Sequence, residues 1–478
     1  MFCQKSKNNK GQLSLQVLIF GSIAIILLSG FLIWADSTVR YVARYSERAQ
    51  ALQIAEAGVE YYRWHLAHAA QDFQDGTGHA GPYIHDYYDK DGNLIGQFIL
   101  YITPPSVGST IVTIKSVGHV SSDSTIEKAV QVKMGIPSYA KYAAALNADV
   151  RFGAGTEVFG PIYSNGGIRF DGIAHNVVSS ALSRYTDPDS PNDYAFAVHT
   201  HVSPADPSPT SSSSTPPNRP DVFLAGRALS VPALDFTKIT QDLADIKTQA
   251  SSTGYYKGPS GKYGYDLVLN TNNTFAIYTV NGLISPPRYC SNLLGQSGWG
   301  TWSISSESLV GTYNIPANGL IFIEDNVWVR GQINNSRVTI ASAKFPDNLS
   351  TRTSITLNQS LLYSDYTGKD VIALIAQNNI NIGLNSDDNL RVDAALMAQN
   401  GRIGRYYYSS ACGTSYKRTT ITSYGMIASS QRYGFAYTDG TGYQNRNLIY
   451  DPNLLYGPPP SFPLTSDTYQ TISWDEAE

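Results

Sequence analysis

The residues whose types and spacing could do chemistry are carboxylates. Asn385-Ser-Asp-Asp-Asn389 sets Asp387 beside Asp388, and Asp393 follows closely. Paired carboxylates can act as acid and base on a glycosidic bond or supply oxygen ligands to calcium. The same Asn/Asp/Ser composition also makes a solvated turn, and we read the stretch as one. His65, His68, His79 and His85 fall close together in the chain. Their spacing matches no standard zinc pattern, so they read as packed or solvated side chains. The chain contains no Gly-x-Ser-x-Gly elbow, phosphate loop, Cys-x-x-Cys or His-Glu-x-x-His. No catalytic residue, cofactor or metal is therefore expected, and the chain reads as something other than an enzyme. Cys290 and Cys412 can pair across a fold in an oxidising space, whereas Cys3 lies in the N-terminal leader. Arg405-Tyr-Tyr-Tyr408 and the run from Tyr433 to Tyr443 offer aromatic faces to sugars or proteins, or belong to outer faces of strands.

The elements that must position these residues are bounded by the totals. A chain of 478 residues exceeds one ordinary core. The 34 basic and 38 acidic residues give a net charge of -4, which excludes a general nucleic-acid binder. Only 15% of residues are charged, against roughly 25% in typical soluble domains. Gly, Ser, Thr, Asn and Tyr take their place, with 33 tyrosines. That is the palette of a β-rich, turn-dense extracellular protein.

The chain opens with a basic leader over residues 1–11, carrying Lys5, Lys7 and Lys10 and no acid. The run from Leu13 to Trp34 is uncharged and long enough to cross a bilayer, which takes ~20 residues. Positive charge before it places that end in the cytoplasm and the bulk of the chain outside. No proline occurs before Pro82, so one helix over 12–70 is sterically open. Its second half is amphipathic, with Val42, Tyr45, Ala49, Leu52, Val59 and Leu66 marking an apolar face. A cleaved secretory signal, a plain anchor and an assembly helix all begin this way. Residues 71–137 follow as a polar loop to about Asp91 and then an antiparallel meander, with alternating runs at Gln97–Ile102, Thr110–Val117 and Ser124–Lys133.

Beyond residue 140 short apolar runs alternate with Gly, Asn and Ser. Ala-Leu-(Ile/Met)-Ala-Gln-Asn occurs twice, at Ala373 and at Ala395, and Ser423-Tyr-Gly-Met-Ile-Ala428 is a third variant. A repeat of roughly twenty residues with short strands predicts a parallel β-helix, a right-handed solenoid over 143–440; a β-sandwich is the alternative. An insertion over 181–282 carries a Pro/Ser-rich stretch (203–217), a helix within 232–250 and a hairpin turning at Asn270–Asn273. Residues 441–478, rich in proline at 458–463, read as an extended tail capping an open β edge. The fold class is thus α+β followed by all-β: a long N-terminal membrane-spanning helix, a small antiparallel sheet and a large parallel solenoid ectodomain.

Lys10-Gly11-Gln-Leu-Ser-Leu-Gln16 ahead of the apolar helix resembles a type IV prepilin leader. The resemblance implies cleavage by a prepilin peptidase after Gly11, methylation of Gln12 as the new N-terminus, and packing of the helix with other pilin-like subunits. The family usually carries glutamate where this chain has Gln16, and glutamine cannot neutralise a neighbour's amino terminus, which points to a minor or atypical subunit. The stretch Ala55-Glu56-Ala57-Gly58 after the spanning run resembles PilX-type pilus assembly proteins. The meander then corresponds to a pilin-like headpiece, and the repeats and tail resemble the uncharacterised β-helical ectodomains of that family. The function so implied is non-enzymatic: a single-pass inner-membrane protein, cytoplasmic at its N-terminus, that displays its ectodomain for adhesion or filament assembly, with surface glycans or proteins as partners and no nucleic acid. A membrane-anchored, polysaccharide-active enzyme using Asp387, Asp388 and Asp393, and a bactofilin-like polymer, are the alternatives.

Overall fold

The computed structural model describes residues 10–105, 109–123, 125–190, 194–209, 215–236, 238–466 and 468–477. The basic leader through Asn9 and part of the Pro/Ser-rich stretch (210–214) lie outside the described residues. The chain forms two compact units. The first comprises residues 1–104, 112–134 and 471–478, and the second 105–111 and 135–470.

The first unit is built on one helix, α1 (Lys10–His68). Its 59 residues span about 88 Å at 1.5 Å per residue. The apolar half touches nothing: Leu13, Phe20, Ile26, Phe31 and Trp34 are all more than 60% exposed. The second half buries Ala51, Ile54, Ala55, Val59, Tyr62 and Leu66, at the three- and four-residue steps of one helical face. This face differs from the expected one. Val42, Tyr45 and Ala49 are exposed and Leu52 is half-buried; only Val59 and Leu66 are shared. The physical reason is that burial on the helix begins only at Ala51, so Val42, Tyr45 and Ala49 lie ahead of the packed stretch, and the face from there on is set by Ala51, Ile54, Ala55 and Gly58.

That sheet consists of β1 (Tyr83–Tyr88), β2 (Leu94–Thr103), β3 (Val112–Val120) and β4 (Glu127–Gly135), joined by the C-terminal strand Gln470–Ala477. The first four pair antiparallel in sequence order, with Leu100 opposite Ser116 and Ser116 opposite Val130. β3 alternates strictly between buried and half-buried residues, with Val112, Ile114, Ser116 and Gly118 inward. Two expectations change here. Tyr83–Tyr88, read as part of a polar, glycine-bearing and aromatic-rich loop, is a strand. The proline-rich part of the tail lies on the large sheet, where Arg337 donates to Gly457 O and Pro458 O and Thr339 to Pro460 O, but its end, with alternating Thr471-Ile-Ser-Trp474, enters the first unit's sheet, where Lys128 pairs with Glu476.

The second unit contains one large, mostly parallel sheet of 21 strands. Its strands stack in columns with side chains in register. The repeated hexapeptides lie directly on each other: Ala373, Leu374, Ile375 and Ala376 pair with Ala395, Leu396, Met397 and Ala398. The column extends through Arg337–Ser342 and Leu320–Ile323 to Tyr255–Lys257 on one side. On the other it runs through Lys417–Ser429 to Ala144–Leu146, Ile162–Ser164 and Val178–Ser180. The stacking order is therefore not the chain order. The chain enters mid-column at Ala144, builds outward to Arg227–Ala228, crosses to the far end, and builds back until Ile427 pairs with Ala144.

The crossing is made by α2 (Lys238–Thr253). Its 16 residues cover about 24 Å, or five strand spacings of ~4.8 Å. Leu243, Ile246 and Ala250 seal against Phe322, Ala341, Ala373 and Met397 on the column's outer face. Residues 181–282 are thus not an insertion: they finish one end of the column and start the other. The parallel ladder also continues past residue 440, because Gly442–Tyr450 pairs with Lys417–Ser429 and with Thr156–Phe159. The expected hairpin is present as Tyr265–Asn270 and Thr274–Leu283, with Asn273 left-handed at φ 62°, and Ile304–Asn314 adds a third antiparallel strand.

Buried polar groups fix the large sheet. Arg405 is fully buried and makes no ion pair with a carboxylate among the described residues. Its guanidinium donates to Gly383 O, to Ser386 Oγ at 2.8 Å, to Leu384 O at 2.9 Å and to Ser415 O at 2.6 Å. Tyr408 lies 4.9 Å from it, ring centroid to guanidinium carbon. Burial lowers its pKa to about 10, so it keeps its proton at neutral pH and ties four loop acceptors to one strand end.

Candidate functional site

The first candidate is α1. By length and composition it can cross a membrane once, with a mean hydropathy of 2.6 over its most apolar window and none of that window buried. Gly11 and Gln12 lie within the helix, and Gln16 is exposed on its bare half. Ala55 and Gly58 face the sheet, while Glu56 and Ala57 are half-buried at the margin. Glycine at 58 is required by contact. A Cβ there would sit 2.8 Å from Cδ2 of Phe98 and closer still to Ser116 Oγ. Gly118 on β3 faces the preceding turn of the helix, where a Cβ would meet Ala51 O and lie 2.5 Å from Ala55 N. The Ala-Glu-Ala-Gly stretch is therefore a close-approach seam between helix and sheet.

The predicted carboxylates do not converge on a reaction centre. Asp387 Oδ2 accepts the backbone N–H of Ser360 at 3.0 Å, and Asp388 caps Thr419. Asp393, fully buried, accepts Tyr363 N, Tyr366 Oη and Arg391 Nε at 2.7–3.1 Å. Each is committed to fold-building donors. Of the sequence-flagged histidines, His65 pairs with Asp72 at 3.0 Å and His85 with Asp75 at 2.7 Å. Cys290 and Cys412 are bonded to each other, with Cα atoms 4.5 Å apart, inside a cluster of Leu384, Tyr406 and Tyr408. The tyrosine-rich runs are partly core: Tyr406, Tyr408 and Tyr443 are 1% exposed or less.

Two groupings escaped the sequence. Asp187, His199 and His201 bring ligand atoms within 4.8 Å of one another. Asp187 Oδ2 is already shared between Arg169 Nη1 at 3.3 Å and His199 Nε2 at 3.6 Å. The second lies in a cleft of about 440 Å3 on the second unit. Asp266, Arg330 and Glu307 come from three different strands, Tyr265–Asn270, Val327–Gln332 and Ile304–Asn314. Arg330 holds Asp266 Oδ2 at 2.8 Å and Glu307 Oε1 at 3.4 Å. The other oxygens, Asp266 Oδ1 and Glu307 Oε2, are buried and have no donor among the described residues. Burial first, then the Glu307 charge, raises the Asp266 pKa to about 6 against the pull of Arg330. No local motif announces this trio, because strand stacking alone brings it together.

No family model matches the chain, and no curated protein matches it. Among solved structures it is similar to the competence-associated pilin ComZ from Thermus thermophilus, at 13% identity over 90% of this chain and 98% of that chain, with a TM-score of 0.29. At those values the likeness carries no argument.

Proposed function

We propose that this chain is a pilin-like, single-pass inner-membrane protein that displays its second unit outside the cell, as a minor or atypical subunit of a filament or of its assembly machinery. One observation carries the reading: α1 leaves an apolar half bare and seats its other half on an antiparallel sheet. A helix so divided can stand in a bilayer and exchange lipid for the apolar helices of neighbouring subunits. Gly11 and Gln12 are the processing site, Gln16 takes the place of the family's glutamate, and prepilin peptidase and other pilin-like subunits are the partners. We read the stacked parallel columns as the rungs of a β-helix that serves adhesion or filament assembly rather than catalysis. The engagement of Asp387, Asp388 and Asp393 by structural donors removes the main support for a polysaccharide-cleaving reading through them.

Mass spectrometry of the N-terminus in cells with active prepilin peptidase tests the proposal. The expected mature chain starts at methylated Gln12. An intact leader, with the protein found only in the membrane fraction, refutes the pilin-like reading and leaves an anchored ectodomain.

A further inference from the structure

We infer that Asp187, His199 and His201 form a binding site for one divalent metal ion of the zinc class. The three residues bring ligand atoms within 4.8 Å of one another. Asp187 Oδ2 and His199 Nε2 are 3.6 Å apart. That is too long for a hydrogen bond and close to the spacing of two ligands on one ion. Metal–ligand bonds of about 2.0–2.1 Å in a tetrahedral site set ligand atoms about 3.3–3.4 Å apart. Closing the cluster onto an ion therefore takes a movement of at most about 1.5 Å. His201 is half-buried while Asp187 and His199 are buried, so it is the side chain with room to make that movement.

The surroundings aim these groups. Asp187 Oδ1 accepts the backbone N–H of Asp189 at 2.9 Å, which fixes the carboxylate with Oδ2 toward His199. Tyr185 Oη lies 3.5 Å from His199 Nδ1, so Nε2 is the ring nitrogen that faces Asp187. A polar contact at the far nitrogen is what orients a ligating imidazole. His199 ends a strand, Val198–His199, that pairs in parallel with Ile168–Arg169, and the backbone N–H of His201 donates to Asp171 Oδ1 at 2.9 Å. Both histidines thus stand on fixed backbone.

Arg169 does not close the site. Its Nε holds Asp171 Oδ2 at 2.8 Å, and its contact to Asp187 Oδ2 is the longer one at 3.3 Å. A carboxylate oxygen accepts at two lone pairs, so one guanidinium leaves the second for an ion. Among the described residues, Asp149, Asp171, Asp187 and Asp189 surround the cluster against Arg151, Arg169 and Arg432, an excess of one negative charge. The field therefore favours a cation. Two imidazoles and one carboxylate suit zinc and its first-row neighbours, whereas calcium and magnesium take oxygen ligands. Bound there, the ion ties the turn after strand Arg184–Thr186 to the end of strand Val198–His199. The site is independent of α1 and of the pilin-like reading.

The test is isothermal titration of ZnCl2 into the full chain, made without a polyhistidine tag, purified in detergent and stripped of metal with a chelator. One Zn2+ per chain should bind, and CaCl2 and MgCl2 should not. His201→Ala should weaken Zn2+ binding about a hundredfold, since losing only a contact that orients a ligand costs about 10–100-fold. His201 lies at the margin of the core, so this variant keeps the fold. Asp187→Asn, which retains the shape and the acceptor for Asp189, should weaken binding as much. His175→Ala, at an exposed histidine outside the cluster, should change nothing. Zn2+ should raise the melting temperature of the parent and of His175→Ala, and not that of the other two. If no Zn2+ binds, if Ca2+ binds as tightly, or if His201→Ala or Asp187→Asn binds Zn2+ as the parent does, the inference is wrong; the last result shows an adventitious ion only.

Discussion

Replacing Gly118 by alanine should loosen the first unit, and the size of the effect follows from what the new methyl meets. The Cβ would lie 2.5 Å from Ala55 N and nearer still to Ala51 O, both backbone atoms of α1. Ordinary carbon contacts begin near ~3.4 Å, so helix and strand must part by about 1 Å. A gap of that size forfeits a quarter to a half of the dispersion energy along the seam of Ala51, Ile54, Ala55 and Val59. Overpacking against side chains costs about 1–3 kcal/mol; against backbone that cannot rotate away, about 3 kcal/mol is expected. Alanine returns about 0.5–1 kcal/mol by restricting the unfolded chain. The net loss is therefore about 2 kcal/mol. Gly58→Ala meets the hydroxyl of Ser116 and the edge of Phe98, which can shift, so about half that loss is expected. Gly30→Ala meets nothing within 4 Å and should be silent. Hydrogen exchange at the β3 amides, with thermal melts of the full chain in detergent, measures all three. A Gly118→Ala protein within 0.5 kcal/mol of the parent, or no different from Gly30→Ala, refutes the close-approach seam.

Three further outcomes are expected. Asp266 binds its proton more tightly when folded, with a pKa of about 6 against 3.8, so the folded state holds more protons between those values and stability falls as pH rises through that window. The full shift corresponds to about 3 kcal/mol; Asp266→Asn should lack this slope in urea midpoints at pH 4 and pH 7, and identical slopes would exclude the buried proton. Reducing the Cys290–Cys412 bond, which closes a loop with sequence separation 122, should lower stability by about 2–5 kcal/mol and open the 285–300 loop to proteases, read by urea titration and limited proteolysis with and without reductant. Arg405→Ala removes the donor from four acceptors, three of them in buried hydrogen bonds, and should cost about 4 kcal/mol or more, with Arg405→Lys only a partial rescue because one ammonium cannot reach both sides of the fork, as measured by thermal unfolding.

Periodicity carried the elements that stand by themselves. The uncharged run, the alternation of β3 and the Ala-Leu-x-Ala repeat each state a local geometry, and strands at Val112–Val120, Val371–Ala376 and Asn389–Ala398 follow from them. What stayed hidden depends on partners. Ala144 stacks on Ile427 although nothing near either residue encodes the other. The buried face of α1 differs from its apolar periodicity because burial begins only at Ala51 and because Gly58, which carries no apolar side chain, lies on the packed face. Tyr83–Tyr88 alternates too, but its flanking glycines and proline masked it. Asp266 and Glu307 look like ordinary strand residues until the sheet stacks them beside Arg330.

The strand Gln470–Ala477 belongs to a sheet whose other members were laid down before residue 136. While the intervening chain is synthesised, the outer edge of that sheet lacks its last partner. An edge strand with free N–H and C=O groups is a template for other chains. A product truncated anywhere in the second unit would therefore carry an unfinished sheet next to a membrane-seeking helix. Closure of that edge therefore waits until residues 470–477 have been made, so the sheet itself distinguishes chains that reach them from fragments that stop short.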